Sequence, residues 1–140
     1  MSQENVEIVR RVAEAFAAGD MDAVFAAVAP EIEWDFSNAQ TWVEEPVYRG
    51  YDGIIKFFAE WTGEWEDYRF EFEEFIDAGD KVVVVVRDEG RSKGAGIKLG
   101  RRHAEVWTVR DGSVVRIEPF DHRHQALKAV GLPEQDAHAD

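Results

Sequence analysis

After Gly63 the spacing of apolar residues changes from mainly helical to a period of two, and that change restricts the possible folds more than any other feature. Before it, Val6, Val9, Ala13 and Phe16 recur at helical spacing, as do Ile54, Phe57, Phe58 and Trp61. After it, Tyr68, Phe70 and Phe72 alternate with Arg69, Glu71 and Glu73, so one face of a strand is apolar and the other charged. Helices gathered before the switch and strands after it describe an α+β chain.

Local signals place the boundaries. Gly19 ends a helix over 2–18, and Asp20 caps a second that runs to about Ala29, before Pro30. Ile32, Trp34 and Phe36 alternate with Glu33 and Asp35 in a short strand, 31–36. Residues 37–51, punctuated by Pro46 and Gly50, read as an irregular loop or lid, and Asp52 caps the third helix. In the strand after Gly63, Phe75 falls on the wrong face for strict alternation, which a bulge near Glu73-Glu74 repairs while bending the sheet. Ala78-Gly79-Asp80 turns the chain into 81–86, apolar on both faces as a covered central strand should be. The segment 91–100 carries three glycines and reads as a loose hairpin end. Strands 101–110 and 113–120 flank Asp111-Gly112, the strongest turn signal in the chain. Asp121 caps a final helix bearing Ala126, Leu127 and Val130, ended by Gly131-Leu132. The expected order is α-α-β-α, four antiparallel strands and a short C-terminal helix, in one domain over 1–132, with a frayed, disordered tail over 133–140. If the sheet curls strongly, it encloses a pocket beneath the helices.

Composition narrows the function. Nine Phe and five Trp in 140 residues supply a core and can wall a cavity. A net charge of −13 repels phosphate backbones and anionic lipid, so neither nucleic acid nor membrane is an expected partner. The absence of cysteine removes disulfides, thiolate metal sites and a cysteine nucleophile. The N-terminal residues show no secretory pattern and no apolar run approaches a membrane span, so the expected location is cytoplasmic.

The Asp111-Gly112 turn permits pairing arithmetic. With Arg110 opposite Ser113, strict alternation pairs Trp107 with Arg116, Glu105 with Glu118 and His103 with Phe120, all on one face. Two glutamates facing each other at about 5 Å between Cβ atoms are unfavourable if both ionise. In a partly dry pocket such a pair separates into an acid and a base, with Arg116 holding the ionised partner and His103 as a second acid/base. Alternatively this face meets water, or a one-residue slip separates the pair. The segment Arg87-Asp88-Glu89 is either a further polar cluster, with Asp88 on the face opposite its neighbours, or a strand end emerging into solvent. Asp35, beside Trp34, is a further candidate. His122 and His124 are too exposed in pattern to serve as ligands, and His124 and His138 lack partners at metal-binding spacing, so no metal site is expected; no cofactor is expected either.

Several of these segments resemble one family. The break at Ala18-Gly19-Asp20, the strand Ile32-Glu33-Trp34, and Tyr48-Arg49-Gly50 leading into Asp52-Gly53-Ile54 are similar to the SnoaL-like branch of the nuclear-transport-factor-2-like superfamily. So are Val106-Trp107-Thr108-Val109-Arg110-Asp111-Gly112 and the ending from Asp121 through Ala126-Leu127 to Gly131-Leu132; together the resemblance spans about 5–132. It implies a cone-shaped fold, often a homodimer, with a cavity between helices and curved sheet. Members include polyketide cyclases, epoxide hydrolases, ketosteroid isomerases and non-catalytic binding proteins. Alignment with the epoxide-hydrolase last strand puts Glu118 at the position of an essential aspartate. The departures are equally specific: Trp34 and Phe36 replace the water-positioning Tyr and Asn, Val12 replaces the isomerase tyrosine, and Asp35 lies one position from the isomerase base. Two readings follow. One is a cofactor-independent acid–base enzyme acting on a small apolar substrate, with Glu118 as base, Glu105 or His103 as acid, and Arg116 in support. Trp34, Asp35, Trp61, Trp107 and Phe120 would then contact the ligand. The other is a non-catalytic ligand-binding or dimerisation module.

Overall fold

Three helices precede Gly63 and four strands follow it, as the change of period requires. The computed structural model describes residues 2–39 and 46–133. In chain order its elements are α1 (Ser2–Ala18), α2 (Met21–Ala27), β1 (Val28–Asp35), β2 (Val47–Arg49) and α3 (Gly50–Gly63). They continue with β3 (Trp65–Ala78), β4 (Lys81–Ser92), β5 (Lys98–Arg110), β6 (Ser113–Phe120) and α4 (Arg123–Ala129). The strands form one sheet in the order β2-β1-β6-β5-β4-β3. Neighbours are antiparallel except β1 and β6, which are parallel.

The helices and central strands stand where the periodicity places them, and the differences lie at the ends. Strand β1 begins at Val28, so α2 is shorter than expected. The segment read as a loop or lid contains β2, and its residues 40–45 lie outside the described residues, as does the tail from 134 onward. Neither Asp52 nor Asp121 is a cap: α3 begins after Arg49, with no side-chain cap. Helix α4 begins after His122, whose backbone N–H donates to Gln125 Oε1 at 3.0 Å. The hairpin end expected within 91–100 is present but shorter, at 93–97, because β4 runs to Ser92 and β5 starts at Lys98.

Helices cover both faces of the sheet, which explains why 82–86 is apolar throughout. On the inner face Val82, Val84 and Val86 join Val9, Phe16, Trp34, Phe57, Trp61 and Trp107 beneath α1 and α3. On the outer face Val83, Ala104 and Val106 pack against Ala126 and Leu127 of α4. The bulge expected near Glu73-Glu74 is present: Phe72 faces Val86 and Glu74 faces Val85, leaving Glu73 unpaired in register. The shift keeps Phe72 and Phe75 on the inner side of the sheet, packed against the same core.

Helix α3 approaches β2 so closely that a Cβ on Gly53 would lie 2.9 Å from the carbonyl carbon of Tyr48, which is backbone and cannot swing away. Gly63, at the other end of α3, has nothing within 4 Å of the equivalent position. Gly53→Ala is therefore expected to destabilise the fold by about 1–3 kcal/mol, whereas Gly63→Ala should be neutral or stabilising by up to about 1 kcal/mol. Urea unfolding of the two variants checks both signs.

Candidate functional site

The turn at Asp111-Gly112 forms as expected, with Arg110 opposite Ser113 and both turn residues at positive φ. Two steps further the register departs from strict alternation. Val109 faces Val114, but Thr108 faces Arg116, so Val115 is an extra residue in β6. Trp107 now pairs with Ile117, Glu105 with Pro119 and Val106 with Glu118. The bulge lets Val114 and Ile117, three positions apart, both enter the inner core. Without it Ile117 would point outward and the charges of Arg116 and Glu118 would be driven under the helices. Burying an isoleucine contributes about 1.5–3 kcal/mol, while burying an unpaired charge costs considerably more; the bulged register satisfies both.

The consequence is a correction. Glu105 and Glu118 do not face one another, and Arg116 and Glu118 lie on the opposite face from Trp107. Asp35 lies there too, alternating with the buried Trp34 and Phe36. These residues form an ion-pair cluster beside β1. Arg116 Nη1 donates to Glu33 Oε1 at 2.7 Å and Nη2 to Asp35 Oδ2 at 2.6 Å, with Nε 3.3 Å from Glu118 Oε1. Burial alone would raise the Asp35 pKa, but hydrogen bonds from Ser37 and the Arg116 guanidinium hold it below the ordinary carboxylate value. Burial works against the Arg116 charge, and Glu118, Asp35 and Glu33 together raise its pKa.

The inner face carries a different set. Arg101, His103, Glu105 and Trp107 alternate along β5, and Asp88 continues the inward parity of Val82, Val84 and Val86 on β4. They line a narrow cavity of about 60 Å³. Its other walls include Phe16, Trp34, Phe57, Trp61, Phe70 and Phe72, and Phe120 contributes from the strand end. The rings pack at centroid separations such as 4.7 Å for Trp34–Phe57 and 6.2 Å for Phe72–Trp107, within the range of favourable aromatic contact.

Into this apolar wall a string of polar groups is set. Asp88 is 1% exposed; it accepts from Tyr68 Oη at 2.8 Å and from Arg101 Nε at 3.2 Å. Arg101 in turn lies over the Trp61 ring, 5.6 Å from its centroid. Glu105, 6% exposed, accepts from Trp107 Nε1 at 2.9 Å, and its other oxygen lies 3.3 Å from His103 Nε2. His103, 9% exposed, thus stands between two carboxylates, with Nδ1 3.9 Å from Asp88 Oδ1. Burial, and then the charge and hydrogen bond of Asp88, push the Tyr68 phenol far above its ordinary value near 10, so it remains a donor throughout the neutral range.

Of the residues singled out from sequence, His103, Glu105, Trp34, Trp61, Trp107 and Phe120 come together around the cavity, while Glu118, Arg116 and Asp35 do not. Sequence reasoning missed Tyr68 and Arg101 and left Asp88 as an open alternative. The signal for Asp88 was its even spacing from Val82, Val84 and Val86, which continues the buried face past the point where apolar residues stop. Among the described residues no cluster of His, Asp and Glu is arranged to hold a metal ion, and no helix is long and apolar enough to cross a membrane.

Two pH dependences follow. The stabilisation from Asp35 is fully present above its unfolded value of 3.8 and is lost as pH falls through the depressed folded value. Asp35→Asn should therefore be less stable than wild type at pH 7, with the difference shrinking in acid. Tyr68 acts at the other end. Above about pH 10 the unfolded phenol ionises while the buried one does not, so wild-type stability falls by up to about 1.4 kcal/mol per pH unit. Tyr68→Phe should lose about 1–3 kcal/mol at neutral pH but show a shallower alkaline decline. Urea titrations across pH measure both.

Comparison with known proteins agrees with this architecture. The SnoaL-like domain family matches residues 9–117. An NTF2-like protein from Burkholderia thailandensis is 30% identical, with 92% of this chain and 98% of that one covered at a TM-score of 0.74. TerC, crystallised with polyporic acid, is 23% identical over 91% of this chain and 98% of its own, with a TM-score of 0.72. A protein of Jannaschia sp. CCS1, named as a SnoaL-like polyketide cyclase, is 22% identical over 94% of each chain, with a TM-score of 0.70. No curated protein matches at a significant level. The chain belongs to the SnoaL-like domain family and has its NTF2-like fold.

Proposed function

We propose that the cavity binds a small, largely apolar molecule and that the chain acts on it by cofactor-independent acid–base chemistry centred on His103. The observation that supports this reading most is the placement of His103 between Asp88 and Glu105 within an aromatic wall. In this reading His103 Nε2–H donates to the Glu105 carboxylate across the 3.3 Å contact, and Nδ1 serves as the basic nitrogen. Glu105, itself fixed by Trp107, orients the imidazole while Nδ1 takes a proton from the substrate. Return of that proton to another substrate atom completes an isomerisation with no other reactant. Positioned acid–base catalysis of this kind contributes about 10²–10⁴ in rate. TerC's crystallisation with polyporic acid and the polyketide-cyclase name of the Jannaschia protein are in keeping with a small-molecule role.

A second reading is favoured by one observation: both buried carboxylates already have two partners each, which suits a rigid, non-catalytic binding pocket. The two separate on one measurement, exchange of an acidic carbon-bound hydrogen for deuterium in a panel of apolar ketones, followed by NMR. Under the catalytic reading, His103→Gln slows exchange at least about 100-fold while Glu118→Gln, on the outer face, leaves it unchanged. Binding of the panel with no exchange above background supports the second reading and ends the first.

A further inference from the structure

Strand β3 is one edge of the sheet, and at 14 residues it is also the longest strand. The opposite edge, β2, has only three residues, too few to offer a ladder to another chain. Between Trp65 and Ala78 there is no lysine and no proline, the residues that commonly blunt a free edge. Two irregularities interrupt β3 instead: a break in register between Glu66 and Arg69, where Asp67 has a φ of 54°, and the bulge between Phe72 and Glu74. The stretch 69–72 between them pairs regularly with β4, and its other side has no neighbouring strand among the described residues. Its two faces carry different side chains. On the inner face Tyr68, Phe70 and Phe72 form a row of half-buried rings, with centroids 6.0 and 5.5 Å apart. On the outer face the Arg69 side chain is 81% exposed and only loosely engaged with Glu89, at 3.6 Å. Glu71 has no ion-pair partner among the described residues.

We infer that two copies of this chain associate edge to edge, β3 against β3 and antiparallel, about a two-fold axis at Phe70, so that the sheet continues from one copy into the other. Around that axis Arg69 stands opposite Glu71 of the second copy, and the symmetry repeats the pair. Phe70 faces its own counterpart and Tyr68 lies beside Phe72 of the second copy, so rings meet rings on the inner face. Other centres fail on charge or on geometry. An axis at Arg69 or at Glu71 sets that residue against itself, and one at Phe72 sets Glu71 against Glu73. An axis at Tyr68 pairs Arg69 with Asp67, but the break in register lies between them. A net charge of −13 on each copy opposes association at low salt. At physiological ionic strength that repulsion is screened beyond about 8 Å, and the Arg–Glu pairs at the seam remain. The pairing does not depend on what the cavity holds.

Sedimentation velocity at about 0.15 M salt tests the seam by reversing its charges. Wild type is expected to show a concentration-dependent dimer. Arg69→Glu and Glu71→Arg should each weaken it at least about ten-fold, because either one sets like charges opposite each other twice. An equimolar mixture of the two variants should recover the dimer, since every acidic position of one chain then faces a basic position of the other. Arg49→Glu, on the β2 edge, should leave association unchanged. A dimer that both β3 variants leave intact, a mixture that stays monomeric, or an equal loss with Arg49→Glu overturns the inference. So does a wild-type chain that is monomeric up to roughly millimolar concentration, which would leave the edge to a strand of a different protein. If a β3 variant does not fold, as judged by circular dichroism, amide hydrogen exchange of the wild type decides. Protection within 69–72 that rises with protein concentration supports the seam, and protection independent of concentration overturns it.

Discussion

Ile117 can reach the helices only if β6 carries one residue more than its partner strand needs, and Val115 is that residue. The competition at this point is between an aliphatic side chain and two charged ones for the same face. Desolvating Arg116 or Glu118 beneath α1 and α3 would cost more than the bulge, so the strand kinks and the charges turn outward. Once they have done so, the outer face beside β1 can assemble its ion-pair cluster, and the inner face is left to β5 and β4. The buried polar string exists because a different set of charges was expelled.

Much of this was legible in the residues, and the point at which legibility failed is instructive. The spacing of Phe72 and Phe75, three apart and both apolar, announced the β3 bulge because charged residues stood between them. Val114 and Ile117 have the same spacing, but Val115 lies between them and fits either face, so the alternation carried no warning. The pairing of Glu105 with Glu118 fell with that single residue. The inward parity of β5 survived because it depends only on alternation within one strand, and His103, Glu105 and Trp107 stayed together. Asp88 was obscured for a different reason. An acidic residue after five valines reads as the end of burial, yet Tyr68 and Arg101 supply the hydrogen bonds that allow a carboxylate to remain 1% exposed. Those partners arrive from neighbouring strands, and nothing local to 87–89 announces them. The misplaced caps have a simpler cause: Asp52 and Asp121 are suitable residue types, but the backbone enters α3 at Arg49, three residues earlier, and α4 at His122, one residue later.

The cavity balances two demands. Its rings interlock closely enough to stabilise the cone, yet the polar string must be held in place inside them. Low local polarity strengthens each hydrogen bond in the string and penalises each one left unmade. Tyr68, Asp88 and Arg101 form one hydrogen-bonded group, and Glu105 with Trp107 forms another. His103 bridges the two while fully engaged by only one, which makes it the least constrained member of an otherwise committed network.

The polar groups of the cavity also share a side. Asp88, Arg101, His103, Glu105 and Tyr68 all rise from the adjacent strands β3, β4 and β5, while α1 and α3 oppose them with Phe16, Phe57, Phe58 and Trp61. A flat guest held between these walls would have one surface toward hydrocarbon and one edge toward the polar groups. Such a chamber is handed. A prochiral molecule entering it would meet His103 from a single side, set by the order of strands in the sheet.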